Sequence, residues 1–280
     1  MSATHARKKP FLRLATAAVA MVAALGMAAC SGGASTSSSS SSSAQVGDRS
    51  PEQIKEAGEI VIGIFSDKAP FGYIDADGKP AGYDVVYGDR IAADLGVTAK
   101  YVPVDAAART EVLASNKVDI TLANFTVTPE RAEKVDFANP YFKVSLGVVS
   151  PTSAEITDVS QLAGKTLIVT KGTTAEAYFE ANHPEVKLQK YDQYSDAYQA
   201  LEDGRGDAFS TDNTEVIAWA IAHPGFSVGI KSLGETSYIA AAVKKGNAPL
   251  LDWLNNQLTE LGEENFFHKD YEQTLAPVYG

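Results

Sequence analysis

The chain has 280 residues, 35 acidic against 24 basic, one cysteine and a formal charge of −11. The acidic balance argues against nucleic acid and anionic membrane surfaces as direct partners. A single cysteine excludes an intramolecular disulfide and a Cys-rich metal site, and the sequence calls for no metal or cofactor.

The first 29 residues read as an export signal. His5, Arg7, Lys8, Lys9 and Arg13 form a basic start, and residues 14–29 are uncharged and apolar. That core is shorter than the ~20 residues that span a bilayer, and small residues close it. Met27-Ala28-Ala29-Cys30 resembles a lipoprotein signal in which Cys30 becomes the lipidated first residue. Without the signal's Arg7, Lys8, Lys9 and Arg13 the charge becomes −15. Residues 30–50 are Ser-rich, with an unbroken Ser run at 37–43, and are expected to remain a flexible tether. These features predict an extracytoplasmic, lipid-anchored protein whose body begins at Pro51.

The body alternates strands and helices. Residues 59–65 predict a strand, Asp77-Gly78 a hairpin turn between arms bearing Tyr73 and Tyr83, and 85–95 a helix stopped by Gly96. Asp75-Ala76-Asp77-Gly78 faintly suggests a calcium loop, but the later ligands are missing and a turn is the better reading. Residues 100–104 predict a strand, 107–115 a helix and 118–125 a strand. Thr128 then stands as an N-cap, with Pro129 at the first helical position and Arg131 in the first turn. A cation there opposes the helix dipole, so Arg131 calls for an anion.

An extended apolar run at 144–150 leads to a second series. Strands are predicted at 166–170, 187–191 and 207–211. Helices start at Thr173 and Asp212, each with Glu three residues on, and a third covers 192–203. A second extended run at 237–245 precedes helices at 248–261 and near 266–275. This is an α/β pattern of two lobes joined by two hinge crossings, with a ligand crevice at the carboxyl ends of the strands.

Three loops face such a crevice. One carries Asn124, Thr126, Thr128 and Arg131, one is Lys171-Gly172-Thr173-Thr174, and the third is Asp212. Two anion-binding elements and one acid match a zwitterion: Arg131 and the Thr173/Thr174 amides for an α-carboxylate, Asp212 for an α-ammonium. Plainer readings stand beside this one. Asp212 and Thr173 also fit as simple caps, and Arg131 and Arg109 as surface cations.

The run from Ala123 through ANFTVTPERAEKVDFANPYF, with GYDVVYGDRIAADLG before it and GKTLIVTKGTTAEAYF and GRGDAFSTDN after it, resembles the polar amino-acid-binding proteins of bacterial ABC importers (solute-binding protein family 3). The likeness runs in order over nearly all of residues 51–279. It implies a two-lobed, type II periplasmic-binding-protein fold, with 51–146 and 239–280 as lobe 1 and 147–238 as lobe 2. It further implies a monomer that closes on an amino acid and delivers it to an ABC permease.

By that likeness Arg131 grips the α-carboxylate, helped by Thr126, the backbone at Asn124, Thr173 and Thr174, while Asp212 holds the α-amino group. Phe65 and Lys68 replace residues frequent in cation- and amide-binding members. Arg109 matches an Arg of acidic- and cysteine-binding members. Two cations at the side-chain end argue against Lys, Arg or His as ligand. SDKAPFGY and FFHKDYEQTL are most similar to the cysteine-binding subgroup. Cysteine or cystine is therefore favoured, then glutamate, aspartate or glutamine. The alternatives are a dehydratase-like enzyme or a ligand-sensing surface protein on the same fold. The mature chain offers only His183, His223 and His268 and no nucleophile turn, which argues against the enzyme.

Overall fold

The computed structural model describes residues 45–279. The export signal, Cys30 and the tether up to residue 44 lie outside the described residues. Residues 45–50, expected in the tether, are instead packed onto the body. The fully buried Asp119 carboxylate accepts from the Gly47 N–H (3.0 Å), Arg49 Nε (2.9 Å) and the Val61 N–H (2.8 Å), and it also pairs with Arg49 Nη2. A buried carboxylate needs such partners, and the chain ahead of Pro51 supplies two of them. Helix α1 (Pro51–Ala57), also unforeseen, follows directly. Ser50 and Gln53 form its capping box and Pro51 occupies its first turn.

The chain continues through β1 (Glu59–Ile64) and a small antiparallel sheet of β2 (Asp67–Lys68), β3 (Gly72–Ile74) and β4 (Pro80–Ala81). The Asp75 carboxylate accepts from the N–H groups of Asp77 and Lys79, so this loop is a hairpin turn. Helix α2 (Tyr83–Leu95), ended by left-handed Gly96, leads to β5 (Thr98–Pro103), α3 (Arg109–Ala114) and β6 (Ile120–Thr121). After the one-turn α4 (Pro129–Ala132) comes β7 (Val135–Pro151). The second series is β8 (Thr166–Thr170), α5 (Thr174–Asn182), β9 (Lys187–Tyr191), α6 (Tyr194–Glu202), β10 (Ala208–Asp212) and α7 (Asn213–Ala222). Then come β11 (Phe226–Lys244), α8 (Ala248–Glu263) and α9 (Phe266–Asp270).

One eight-stranded sheet orders these strands β5-β1-β6-β11-β7-β10-β8-β9. β5, β1 and β6 are parallel to one another, as are β10, β8 and β9. The two long strands β7 and β11 lie between these halves and pair antiparallel from Phe226↔Pro151 to Lys244↔Val135, with several register shifts. They are much longer than the extended runs expected at 144–150 and 237–245.

The Ile60, Ile62 and Ile64 face of β1 packs with Tyr87 and Ile91 of α2 and with Leu250, Leu254 and Leu261 of α8. The C-terminal part thus returns to the first half. Each such buried aliphatic side chain contributes about 1.5–3 kcal/mol. In the second half Leu167 and Val169 of β8 pack against Ala175 and Phe179 of α5. Among the described residues no helix is long and apolar enough to cross a membrane.

Two expectations about the central loop need correction. The strand expected over 118–125 is only Ile120–Thr121, because Ala123 and Asn124 adopt φ of 35° and 43° and turn the chain out of the sheet. The helix carrying Arg131 is only four residues long. A single turn has little aligned dipole, so the dipole argument for an anion at Arg131 falls away.

Candidate functional site

The carboxyl ends of the parallel strands of both halves face one another. A narrow cleft there, closed down to a free volume of about 10 Å³, is lined by Lys68, Arg109, Asn124, Thr126, Thr173, Thr174, Tyr194, Thr211 and Asp212. Seven of the nine residues expected to contact ligand line it. Phe65 and Arg131 do not, and each stands just behind. Phe65 is buried edge-on to Tyr194, and the Arg109 guanidinium lies 5.3 Å from its ring centroid. Phe65 therefore supports the lining residues from beneath. Arg131 lies in an adjoining hollow with Thr110, Glu130, Lys134 and Gly172.

One wall is cationic. Arg131 donates from Nη1 to the Thr126 carbonyl (2.6 Å) and from Nη2 to the Gly172 carbonyl (2.9 Å). Arg109, fully buried on the Phe125 ring, donates to the carbonyls of Ala106, Ala123, Asn124 and, at 3.1 Å, Gly172. Both guanidiniums thus converge on one carbonyl of the opposite half, and neither meets a carboxylate among the described residues. Burial, and then the Arg131 charge beside it, push Arg109 below its usual range. Burial does the same to Arg131, with Asp212 opposing. Guanidiniums do not give up their proton at neutral pH, so the wall keeps two positive charges that carbonyl dipoles only partly offset.

Gly172 makes this approach feasible. Its φ is +73°, and a Cβ there would lie 2.4 Å from the Ala107 Cα across the cleft. The Glu176 carboxylate accepts from the Gly172 N–H (2.6 Å), and the Thr173 hydroxyl accepts from the Glu176 N–H (3.2 Å) while donating to the Thr170 carbonyl (2.7 Å). Thr173 is therefore a working cap whose hydroxyl is already engaged.

The other wall pairs its charges within the protein, one lysine against two carboxylates. Lys68 Nζ, fully buried, donates to Tyr194 Oη (2.9 Å), Thr211 Oγ1 (3.2 Å) and Asp212 Oδ2 (3.1 Å), and lies 2.8 Å from Glu215 Oε2. Burial alone would lower its pKa, but Asp212 and Glu215 outweigh burial and hold it above the usual lysine value. Burial pushes Glu215 up to about 7, while Lys68 and the Thr211 hydroxyl (2.9 Å) pull it back. Asp212 makes no side-chain cap bond, so its capping reading is overturned, and so is that of a box with Glu215. Asp212 Oδ1 accepts no hydrogen bond among the described residues.

Asn124 departs most from expectation. Its backbone N–H donates to Asp84 Oδ2 (2.6 Å) and its carbonyl accepts from Arg109 (3.1 Å), so the backbone expected to help a carboxylate is already committed. Asp84 is itself fully buried, pushed up to about 6 by burial and held back by the Tyr141 hydroxyl (2.6 Å). Both polar atoms of the Asn124 side chain are buried with no partner among the described residues. Unsatisfied buried polar atoms cost on the order of 1–3 kcal/mol each, and left-handed non-Gly residues concentrate at functional sites.

Sequence reading missed Tyr194, Thr211, Glu215 and Asp84. Tyr194 lay within the helix expected over 192–203, and Glu215 read as a cap partner. Asp84 carried a usable signal, as an acid on the apolar face of α2 between Tyr83 and Val85.

The model of the bacterial extracellular solute-binding proteins, family 3, matches residues 60–275. Among solved structures, the solute receptor for L-cysteine of Neisseria gonorrhoeae is 51% identical, with a TM-score of 0.81, covering 83% of this chain and 96% of that one. The cysteine-binding protein from Campylobacter jejuni is also 51% identical, with a TM-score of 0.80, covering 82% and 94%. The glutamine-binding protein of a Bacillus subtilis ABC transporter is 27% identical over 227 residues, 79% of this chain and 83% of that protein.

Proposed function

The chain belongs to the bacterial extracellular solute-binding proteins of family 3, and we propose that it captures a small zwitterionic amino acid, L-cysteine first, for an ABC permease. The observation that carries this reading is the asymmetry of the cleft. Two guanidiniums with only carbonyl partners stand on one wall, and Asp212 with a free Oδ1 stands on the other. An α-carboxylate would replace carbonyls as the partner of Arg131 and Arg109 in a charge-assisted, forked contact. An α-ammonium would take Asp212 Oδ1. Thr126 and Thr174 line the space between.

Lobe 1 in this reading is 51–146 with 239–280, lobe 2 is 147–238, and β7 and β11 carry the hinge. Lys68, Arg109 and Arg131 reach from the first lobe to Asp212 and Gly172 of the second. Ligand contacts of the same kind would favour the closed state by differential affinity. The two relatives at 51% identity whose names specify cysteine support that amino acid as the ligand. Cys30 would anchor the protein by lipid on the outer face of the cell membrane. Loss of membrane association in a Cys30→Ser variant is the check on that part.

The test is a thermal-shift screen of the purified body against the twenty amino acids and cystine. L-cysteine should give the largest upward shift, with the other small polar amino acids next. No shift with any amino acid would end this reading.

A further inference from the structure

The Asn124 carboxamide is buried in the cleft without a partner among the described residues. Lys68 has spent its three N–H donors on Tyr194, Thr211 and the Asp212/Glu215 pair. Arg109 turns Nε, Nη1 and Nη2 to carbonyls and, in the reading above, exchanges some of them for the α-carboxylate. The Thr173 hydroxyl is engaged within its own loop. Among the lining residues Asn124 alone keeps both a buried donor, Nδ2, and a buried acceptor, Oδ1, with no protein partner among the described residues. Its backbone is clamped on both sides by Asp84 and Arg109, which fixes the side chain's origin.

We propose that the Asn124 carboxamide reads the ligand's side chain and selects a short neutral group that both donates and accepts a hydrogen bond, a thiol or a hydroxyl. This rests on the amino-acid reading above. A thiol or hydroxyl satisfies Oδ1 with its hydrogen and Nδ2 with its lone pair. An alkyl group satisfies neither. A side-chain carboxylate would meet Nδ2 but set a second acceptor against Oδ1, while Arg109 is taken up by the α-carboxylate and Lys68 by Asp212 and Glu215. Acidic amino acids are therefore poor ligands, although Arg109 alone suggested them. Sites built to hydrogen-bond a side chain reject isosteres that lack the group, because their own buried polar atoms are then stranded.

The experiment is calorimetric titration of wild type and Asn124→Gly with L-cysteine, L-serine and L-2-aminobutyrate, in which a methyl replaces the thiol. Glycine tolerates the positive φ at this position. Wild type should bind L-cysteine roughly tenfold or more tighter than L-2-aminobutyrate. In Asn124→Gly the cysteine affinity should fall about tenfold while that of aminobutyrate stays within about threefold, bringing the ratio near one. Asn124→Asp keeps the size and the left-handed tolerance but loses the Nδ2 donor, so it should also weaken cysteine selectively. Equal losses for both ligands would show that Asn124 holds the common zwitterion, and unchanged cysteine binding would show that it holds nothing. Either overturns the proposal while leaving the amino-acid reading intact. Wild type that binds none of the three overturns both.

Discussion

The two walls of the cleft handle buried charge in opposite ways. On the wall of Lys68, Asp212 and Glu215, one cation meets two carboxylates within 3.1 Å, and the hydroxyls of Tyr194, Tyr198 and Thr211 complete the set. On the wall of Arg109 and Arg131, two cations meet only carbonyls. Burying a charge is costly unless it is paired. The first wall meets most of that cost within the protein, belongs to the closed structure and keeps only Asp212 Oδ1 for a ligand. The second leaves it open and belongs to the ligand.

This contrast breaks if the wrong wall responds to substitution. The largest effect should follow Lys68→Met, which strands Asp212 and Glu215 in the closed form and should cost about 3–5 kcal/mol of stability in denaturant melts. Adding Glu215→Gln should recover a good part of it. Arg131→Ala should instead spare or slightly raise stability, because it relieves repulsion with Arg109, yet weaken amino-acid binding by about 2–5 kcal/mol in calorimetry.

Gly172→Ala should come next. Its Cβ would meet the Ala107 backbone of the opposite wall, so closure is hindered and affinity should fall by roughly 1–3 kcal/mol. Small-angle scattering with ligand should show a more open particle than wild type.

The smallest effect concerns pH. Glu215 is held up to about 7 in the folded state, well above the ordinary value of 4.5. The folded protein therefore keeps a proton that the unfolded chain releases, and stability should decline as pH rises from about 4.5 to 7. Glu215→Gln should flatten that window by on the order of 1 kcal/mol in melts across pH. A wild-type profile that rises through the same window would contradict the assignment.

Much of this was legible in the sequence where one local rule governs. β8 falls where its Leu167-Ile168-Val169 run places it, and Gly96 ends α2 as its left-handed preference requires. The sequence also placed Thr173, Thr174 and Asp212 in loops after strand ends, and the structure brings those three to one cleft. What was not legible depends on contacts between distant segments. Nothing local says that Asn124 gives its backbone to Asp84 and Arg109, or that residues 45–50 pack because Asp119 needs donors. Lys68 read as a cation awaiting a ligand, since Glu215, 147 positions later, looked like a cap partner. The Arg131 inference reached a cationic wall through a dipole that a four-residue helix does not supply. Its firmer basis is two guanidiniums without a carboxylate.

The most direct measurement compares L-cysteine with L-cysteinamide, which lacks the carboxylate, by calorimetric titration into the wild-type protein. If the Arg109 and Arg131 wall exists to take a carboxylate, cysteine should bind about 30-fold or more tighter than the amide, the equivalent of roughly 2 kcal/mol or more. Equal affinity for the two would mean that the unpaired guanidiniums are not the carboxylate site.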